Sequence, residues 1–182
     1  MEAASCILFS GGAGGAEATF GINAERVGVE EVNFTFEGHQ IERSRGVRVH
    51  NREELAQGDV SLTYVSHLMN RTYTQSRVLR QILQTIWYQV NSSMEVYVIG
   101  QIQADNTVRG GTGWGAEFAK LCNKVLYIFD QDRDGWFAWN KAEWVEHAEP
   151  KIQHVHFAGT GTRLLQDNGT RAIADLFTRS FS

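Results

Sequence analysis

The segment Arg109-Gly-Gly-Thr-Gly-Trp-Gly-Ala-Glu117 constrains this chain more than any other, because four glycines crowd the six positions 110–115. Before it, Val96–Ile102 is an apolar, β-branched run bounded by polar and glycine residues, which predicts a buried strand. After it, Phe118, Leu121, Cys122 and Val125 recur at helical spacing. A strand, a glycine loop and a helix start together make a phosphate-sized anion site. Glycines let backbone N–H groups approach an anion, and the helix's unpaired amides favour negative charge there.

Two further segments repeat that pattern. Cys6–Ser10 runs into Gly11, Gly12, Gly14 and Gly15, and a helix follows with Ala16, Phe20, Ala24 and Val27 on one face. Near the other end, His154–Ala158 runs into a loop of Gly159, Thr160, Gly161, Thr162 and Arg163. The helix after it carries Ala172, Ile173, Leu176, Phe177 and Phe181. In an open α/β sheet such loops gather at the carboxyl edge of the strands, where ligands bind. Three of them make a nucleotide-like small molecule the expected partner. The competing reading is that the glycines serve only tight turns and packing.

Strands alternating with helices predict an α/β fold: a Rossmann-like three-layer arrangement with a mostly parallel sheet, in one domain over residues 1–182. The clearest helix is Gln75–Val90, with Val78, Leu79, Ile82, Leu83, Ile86, Trp87 and Val90 on one stripe. A short helix over Arg52–Gln57 should be capped by Asn51 and ended by Gly58. Further strands are expected at Val32–Phe36, Gly46–His50, Val125–Phe129 and Val155–Phe157, with a small edge strand at Trp136–Trp139.

A formal net charge of −4 disfavours non-specific nucleic-acid binding. Arg43, Arg45, Arg48, Arg52, Arg71, Arg77 and Arg80 cluster in mid-chain. Arginine suits bidentate phosphate recognition, but such runs also serve as solvated, paired surfaces. No apolar run is long enough for a bilayer and no secretory leader is visible, so a cytoplasmic protein without a membrane partner is expected. Cys6 and Cys122 read as reduced core residues. The oligomeric state is left open, a homo-oligomer included.

Asp130-Gln-Asp132-Arg-Asp134-Gly135 matches the first half of an EF-hand loop. The match fails at the twelfth position, where Lys141 stands in place of the closing glutamate. His154 and His156 would point the same way on a strand but have no evident third ligand. No metal and no cofactor are expected. Ser10 lacks a nucleophile-elbow pattern. Trp114, inside a glycine loop, is expected to cover a base or ribose.

Taken together, the three loops resemble the SLOG superfamily of Rossmann-like domains, which includes DprA-like, YspA-like and lonely-guy proteins. Ser10–Glu17 is similar to the Ser-Gly-Gly-Ala-Arg-Gly-Ala-Asp motif of the YspA-like branch, with Gly14 at the arginine position and Glu17 at the aspartate. Gly110–Glu117 is similar to the Gly-Gly-x-Gly-Thr-x-x-Glu motif of lonely-guy phosphoribohydrolases, with Trp114 replacing threonine. Asn70–Tyr73, Ile128–Gln131, Trp136–Trp139 and Phe157–Arg163 resemble elements of uncharacterised bacterial and phage relatives.

The resemblance runs from about Ile7 to Phe181 and implies a nucleotide-derived ligand at the glycine loops. It places Glu117 as the catalytic carboxylate of an N-glycosidic hydrolysis of a nucleoside monophosphate. It places Ser10, Gly11, Gly12, Gly14, Gly15, Glu17, Arg71, Gly110, Gly111, Thr112, Gly113, Trp114, Thr160, Gly161, Thr162 and Arg163 around the ligand. The alternative is a non-catalytic nucleotide-sensing or interaction module. A DprA-like nucleic-acid binder ranks third on charge.

Overall fold

The computed structural model describes residues 1–181. One eight-stranded sheet runs in the order β3-β2-β1-β8-β4-β5-β6-β7. Its strands are β1 (Ile7–Ser10), β2 (Glu30–Thr35), β3 (Val47–Val49), β4 (Glu95–Gly100), β5 (Val125–Asp130), β6 (Gly135–Trp139), β7 (Trp144–Glu146) and β8 (His156–Gly161). From β3 across to β5 every pairing is parallel, while β6 and β7 extend the sheet antiparallel. This is the expected Rossmann-like three-layer α/β arrangement.

Successive residues of β4 explain the layers. Val96 and Val98 enter a core with Leu83, Ile86 and Val90 of α4 (Arg77–Ser92) and Ala116 and Phe118 of α5 (Thr112–Leu121). Tyr97 and Ile99 enter the opposite core, with Phe20 of α1 (Ala16–Val27) and Ile173, Leu176 and Phe177 of α6 (Asp167–Phe181). A strand buried on both faces reads as a continuous apolar run, which is why β4 was legible without alternation.

The helix α2 (Arg52–Leu55) starts with a full capping box between Asn51 and Glu54. It does not simply end at Gly58. A 3₁₀ turn continues into α3 (Asp59–Leu68), an element the sequence reading did not expect. Its β-branched, Ser/Thr-rich composition has weak helix propensity. The available signal was Leu62, Val65 and Met69, which recur at helical spacing and are buried.

Residues 125–130 form a strand paired parallel to β4, so no helix enters the EF-hand-like segment. That segment is the turn of the β5–β6 hairpin. Asp130 is buried, and its carboxylate accepts N–H bonds from Ile102, Asp132 and Arg133 at 2.9, 2.9 and 3.1 Å. A cation would have to displace these donors and tolerate Lys141. Calorimetry should therefore show no micromolar calcium affinity, and calcium binding lost in Asp130→Ala would contradict this.

Other expectations are corrected in detail. Trp136–Trp139 belongs to β6, but the edge strand is β7. Cys6 is buried as expected, whereas Cys122 is exposed; both are free. His154 lies before β8 and its Nδ1 meets buried Glu95 at 2.7 Å, while His156 packs edge-on to Phe9. Among the described residues no group of three or more His, Cys, Asp or Glu could hold a metal ion. Nor is any helix among them long and apolar enough to cross a membrane.

Candidate functional site

The chain passes outward from β1 to β2 and β3, crosses to β4, and passes outward again to β5; β8 fills the gap between β1 and β4. The direction of winding therefore reverses around β8. At such a switch point the loops leaving neighbouring strands splay to opposite faces and open a crevice. Here the segments following β1, β4 and β8 border one cleft of about 530 Å³. Ala13, Gly14 and Glu17 line it from the first segment, Arg109, Gly110, Gly111 and Thr112 from the second, and Gly161, Thr162, Arg163 and Leu164 from the third.

Each glycine in the first segment has its own reason. Ser10 is buried, and its hydroxyl donates to the Gly159 carbonyl at 2.8 Å. A methyl group on Gly11 would stand 2.6 Å from Glu17 Oε2. Gly12 adopts φ 70°, and its carbonyl accepts from the N–H groups of Glu42 and Arg43 at 2.8 and 3.2 Å. Gly14 lies beneath the Glu42 carboxylate. Gly15 has φ 91° and abuts the Arg163 backbone, and Ala16 N–H donates to the Thr162 carbonyl at 3.0 Å. That bond stitches the first segment to the third.

The carboxylate in this cleft belongs to Glu17, only 8% exposed at the start of α1. Its Oε2 accepts from Ala13 N–H at 3.2 Å. Its Oε1 accepts from Gln89 Nε2 at 3.2 Å and from Thr160 Oγ1 at 3.1 Å. Burial pushes the carboxyl above its ordinary 4.5, although those three donors and the charge of Arg163 pull the other way.

Glu117, the expected catalytic residue, is not among the residues lining the cleft. It faces Lys120 Nζ at 3.2 Å, and that ammonium sits 3.9 Å over the Trp139 ring and donates to the Asn106 carbonyl. One turn into α5 carries its side chain to the helix side that faces the β6–β7 extension. Trp114 is also corrected: it is 6% exposed, packs against Tyr73 with ring centroids 5.5 Å apart, and belongs to the core.

Arg71 acts on the loop rather than in the cleft. Its guanidinium donates to the carbonyls of Gly110 and Val108 at 3.1 and 3.0 Å, and to Gln103 Oε1 and Thr107 Oγ1 at 2.6 and 3.0 Å. Those bonds fix the loop's shape. Gly113 is the place where the Val108 carbonyl and Arg71 leave no room for a side chain. By contrast, a Cβ at Gly110 or Gly111 would have no protein atom within 4 Å, so the backbone there is open.

The third segment is less of a loop than its composition implied. Thr160 and Gly161 belong to β8, and the turn begins at Thr162, whose N–H donates to the Ile99 carbonyl at 2.9 Å. Gly159 and Gly161 are small for packing, against the Phe20 ring and against Ile99 and Ala16. Arg163 is exposed at the cleft wall.

His39, Gln101, Gln131, Gln166, Leu79 and Ile82 also line the cleft and were not expected there. His39 stacks on Phe36 at 4.6 Å, its Nδ1 lies 3.0 Å from Thr35 Oγ1, and burial, then Arg163, lowers its pKa. Gln131 Oε1 accepts from Gln166 N–H at 2.7 Å, so the EF-hand-like hairpin braces the third segment. Three of the seven clustered arginines are ion-paired: Arg43 with buried Glu31 at 2.5 Å, Arg45 with Glu25 at 3.5 Å, and Arg80 with Asp59 at 2.9 Å.

No protein-family model, no curated protein and no solved structure matches this chain.

Proposed function

We propose that the cleft binds a nucleotide through its phosphate at the Gly110–Thr112 backbone. The observation that carries this is the convergence of three strand-ending segments at the switch point, around a cleft with an open glycine backbone at a helix start. Arg109 and Arg163 flank the cleft with positive charge. Its volume lies within the range of roughly 300–1,000 Å³ usual for small-molecule sites.

The enzymatic form of this reading is hydrolysis of the N-glycosidic bond of a nucleoside monophosphate. Glu17 replaces Glu117 as the carboxyl group that would act on the sugar or the leaving base. A buried carboxyl with a raised pKa, lining a cleft, is suited to proton handling. One observation favours the non-catalytic sensor instead: both Glu17 oxygens already accept hydrogen bonds within the protein. Release of free base on incubation with nucleoside monophosphates separates the two.

Gly111→Ala tests binding itself. Gly111 has φ −62° and ψ −32°, which alanine adopts freely, and no protein atom opposes the new methyl group. The variant should melt within about 2 °C of the wild type, a shift of less than about 1 kcal/mol for a chain of this size. It should bind AMP about tenfold more weakly, a loss of about 1.4 kcal/mol, because the methyl occupies the phosphate's approach. Unchanged AMP affinity in calorimetry would rule out a phosphate at this loop.

A further inference from the structure

A cavity of about 320 Å³ lies between α2, α3 and α4, lined by Arg52 of α2, Asp59 of α3, and Arg77, Arg80, Gln81 and Gln84 of α4. None of these six residues lines the main cleft. Arg77, Arg80, Gln81 and Gln84 recur at helical spacing and so form one stripe of α4. Leu79, Ile82 and Ile86, which line the main cleft, lie on the other side of the same helix. A polar stripe of this kind ordinarily faces open water. Here it borders a concavity, and a third arginine, 25 residues before Arg77, borders the same space from α2.

The cavity holds one carboxylate, and that carboxylate is committed. Asp59 Oδ1 accepts from the Tyr73 hydroxyl and Gln84 Nε2 at 2.7 and 2.8 Å, and its Oδ2 accepts from Arg80 at 2.9 Å. Arg80 is thereby paired, and its guanidinium also lies 4.4 Å over the Tyr73 ring. Among the described residues neither Arg52 nor Arg77 makes an ion pair. The acids next to Arg52 do not supply one. Glu54 turns back to the Asn51 N–H at 2.7 Å, and neither it nor Glu53 lines the cavity. Two guanidinium side chains thus border one concavity without a counter-charge, an arrangement that repels itself and that a bound anion relieves.

We infer that this cavity binds a small phosphorylated compound carrying two or more negative charges, with Arg52 and Arg77 as its charged contacts. Arginine's planar fork presents paired N–H donors that match phosphate oxygens, and two forks balance a dianion. Gln81, half-buried on the same stripe, adds an amide donor. Arg80, held by Asp59, forms a fixed wall of the cavity.

Inorganic pyrophosphate is the probe, titrated calorimetrically near physiological ionic strength, where distant charges are screened over about 8 Å. The starting protein is Gly111→Ala, whose methyl group obstructs the phosphate approach in the main cleft, and it should bind pyrophosphate saturably. Arg52→Gln and Arg77→Gln, each added to it, should weaken that binding at least about tenfold, as the loss of a charge-assisted hydrogen bond implies. Arg48→Gln removes the same charge from β3, outside the cavity, and should leave the affinity within about twofold. Arg48, Arg52 and Arg77 are all exposed, so melting curves should show every variant folded.

Absence of heat at millimolar pyrophosphate would overturn the assignment, as would unchanged affinity in either Arg52→Gln or Arg77→Gln. An equal loss in Arg48→Gln would also overturn it, because net charge and not this cavity would then account for the binding. If AMP proves not to bind the main cleft, Gly111→Ala is inert in these titrations and the same comparisons hold.

Discussion

Glu17→Gln is expected to keep the fold, melt higher than the wild type at pH 7, and abolish any release of free base. The stability effect follows from the raised carboxyl pKa. Between 4.5 and the higher folded-state value, the folded chain holds a proton that the unfolded chain has lost. Stability from this group is thus fully present below pH 4.5 and is lost as pH rises through the folded-state value. Glutamine removes that loss. Its amide also has partners: the oxygen can keep Ala13 N–H, while its NH₂ can meet Thr160 Oγ1 and a rotated Gln89 amide. Gln89 Oε1 is buried with no hydrogen-bond partner, so rotation gives it one. Melting curves from pH 4 to 8 should show the wild type losing stability relative to the variant as pH rises. If the carboxyl handles a proton in catalysis, turnover falls by about 10²–10⁴. Equal pH dependence in the two proteins would refute the buried-carboxyl account, and full turnover by the variant would refute Glu17's chemical role.

Gly15→Ala should be among the most destabilising single changes in the chain. Gly15 adopts φ 91° and ψ −130°, a region almost closed to other residues. Its Cβ would lie 2.7 Å from both Arg163 Cα and the Thr162 carbonyl oxygen, all backbone atoms of the adjoining segment. Strained backbone costs about 1–3 kcal/mol, and overpacking costs a further 1–3 kcal/mol. A total near 4 kcal/mol lowers Tm by roughly 8–16 °C in a chain of this size. The same change pushes apart the two segments stitched by the Ala16–Thr162 hydrogen bond, so ligand affinity should fall as well. A Tm within about 3 °C of the wild type would show that the two segments do not meet as described.

The contrast between Gly15 and Gly111 marks how far the sequence could be read. Strand–glycine–helix spacing located the three segments, because apolar periodicity and chain-breaking residues are local properties. It did not say what each glycine was for. Gly15 is required by its backbone angle and by a segment roughly 150 residues away, Gly159 by the Phe20 ring, and Gly111 by nothing within the protein. Only the fold separates these cases.

The exchange of Glu117 for Glu17 has a similar origin. Both follow a glycine run, Glu17 in the first turn of α1 and Glu117 a turn further into α5, and a motif scores them alike. The sequence does not show that Gln89 and Thr160, distant in the chain, converge on one carboxylate, while Lys120, three residues on, occupies the other. Arg71 drew notice as an arginine suited to phosphate, but it serves the carbonyls of a loop nearly forty residues away. His39 and Gln131 carried no local signal, as they reach the cleft from the connection after β2 and from a hairpin turn.

The central claim is that the switch-point cleft is a nucleotide site, and calorimetric titration of the wild-type protein with AMP tests it most directly. The account predicts saturable one-to-one binding, a melting temperature that rises with ligand concentration as RT ln(1 + [L]/Kd) requires, and loss of about tenfold in affinity in Gly111→Ala. Absence of heat and of any thermal shift at millimolar AMP would contradict it.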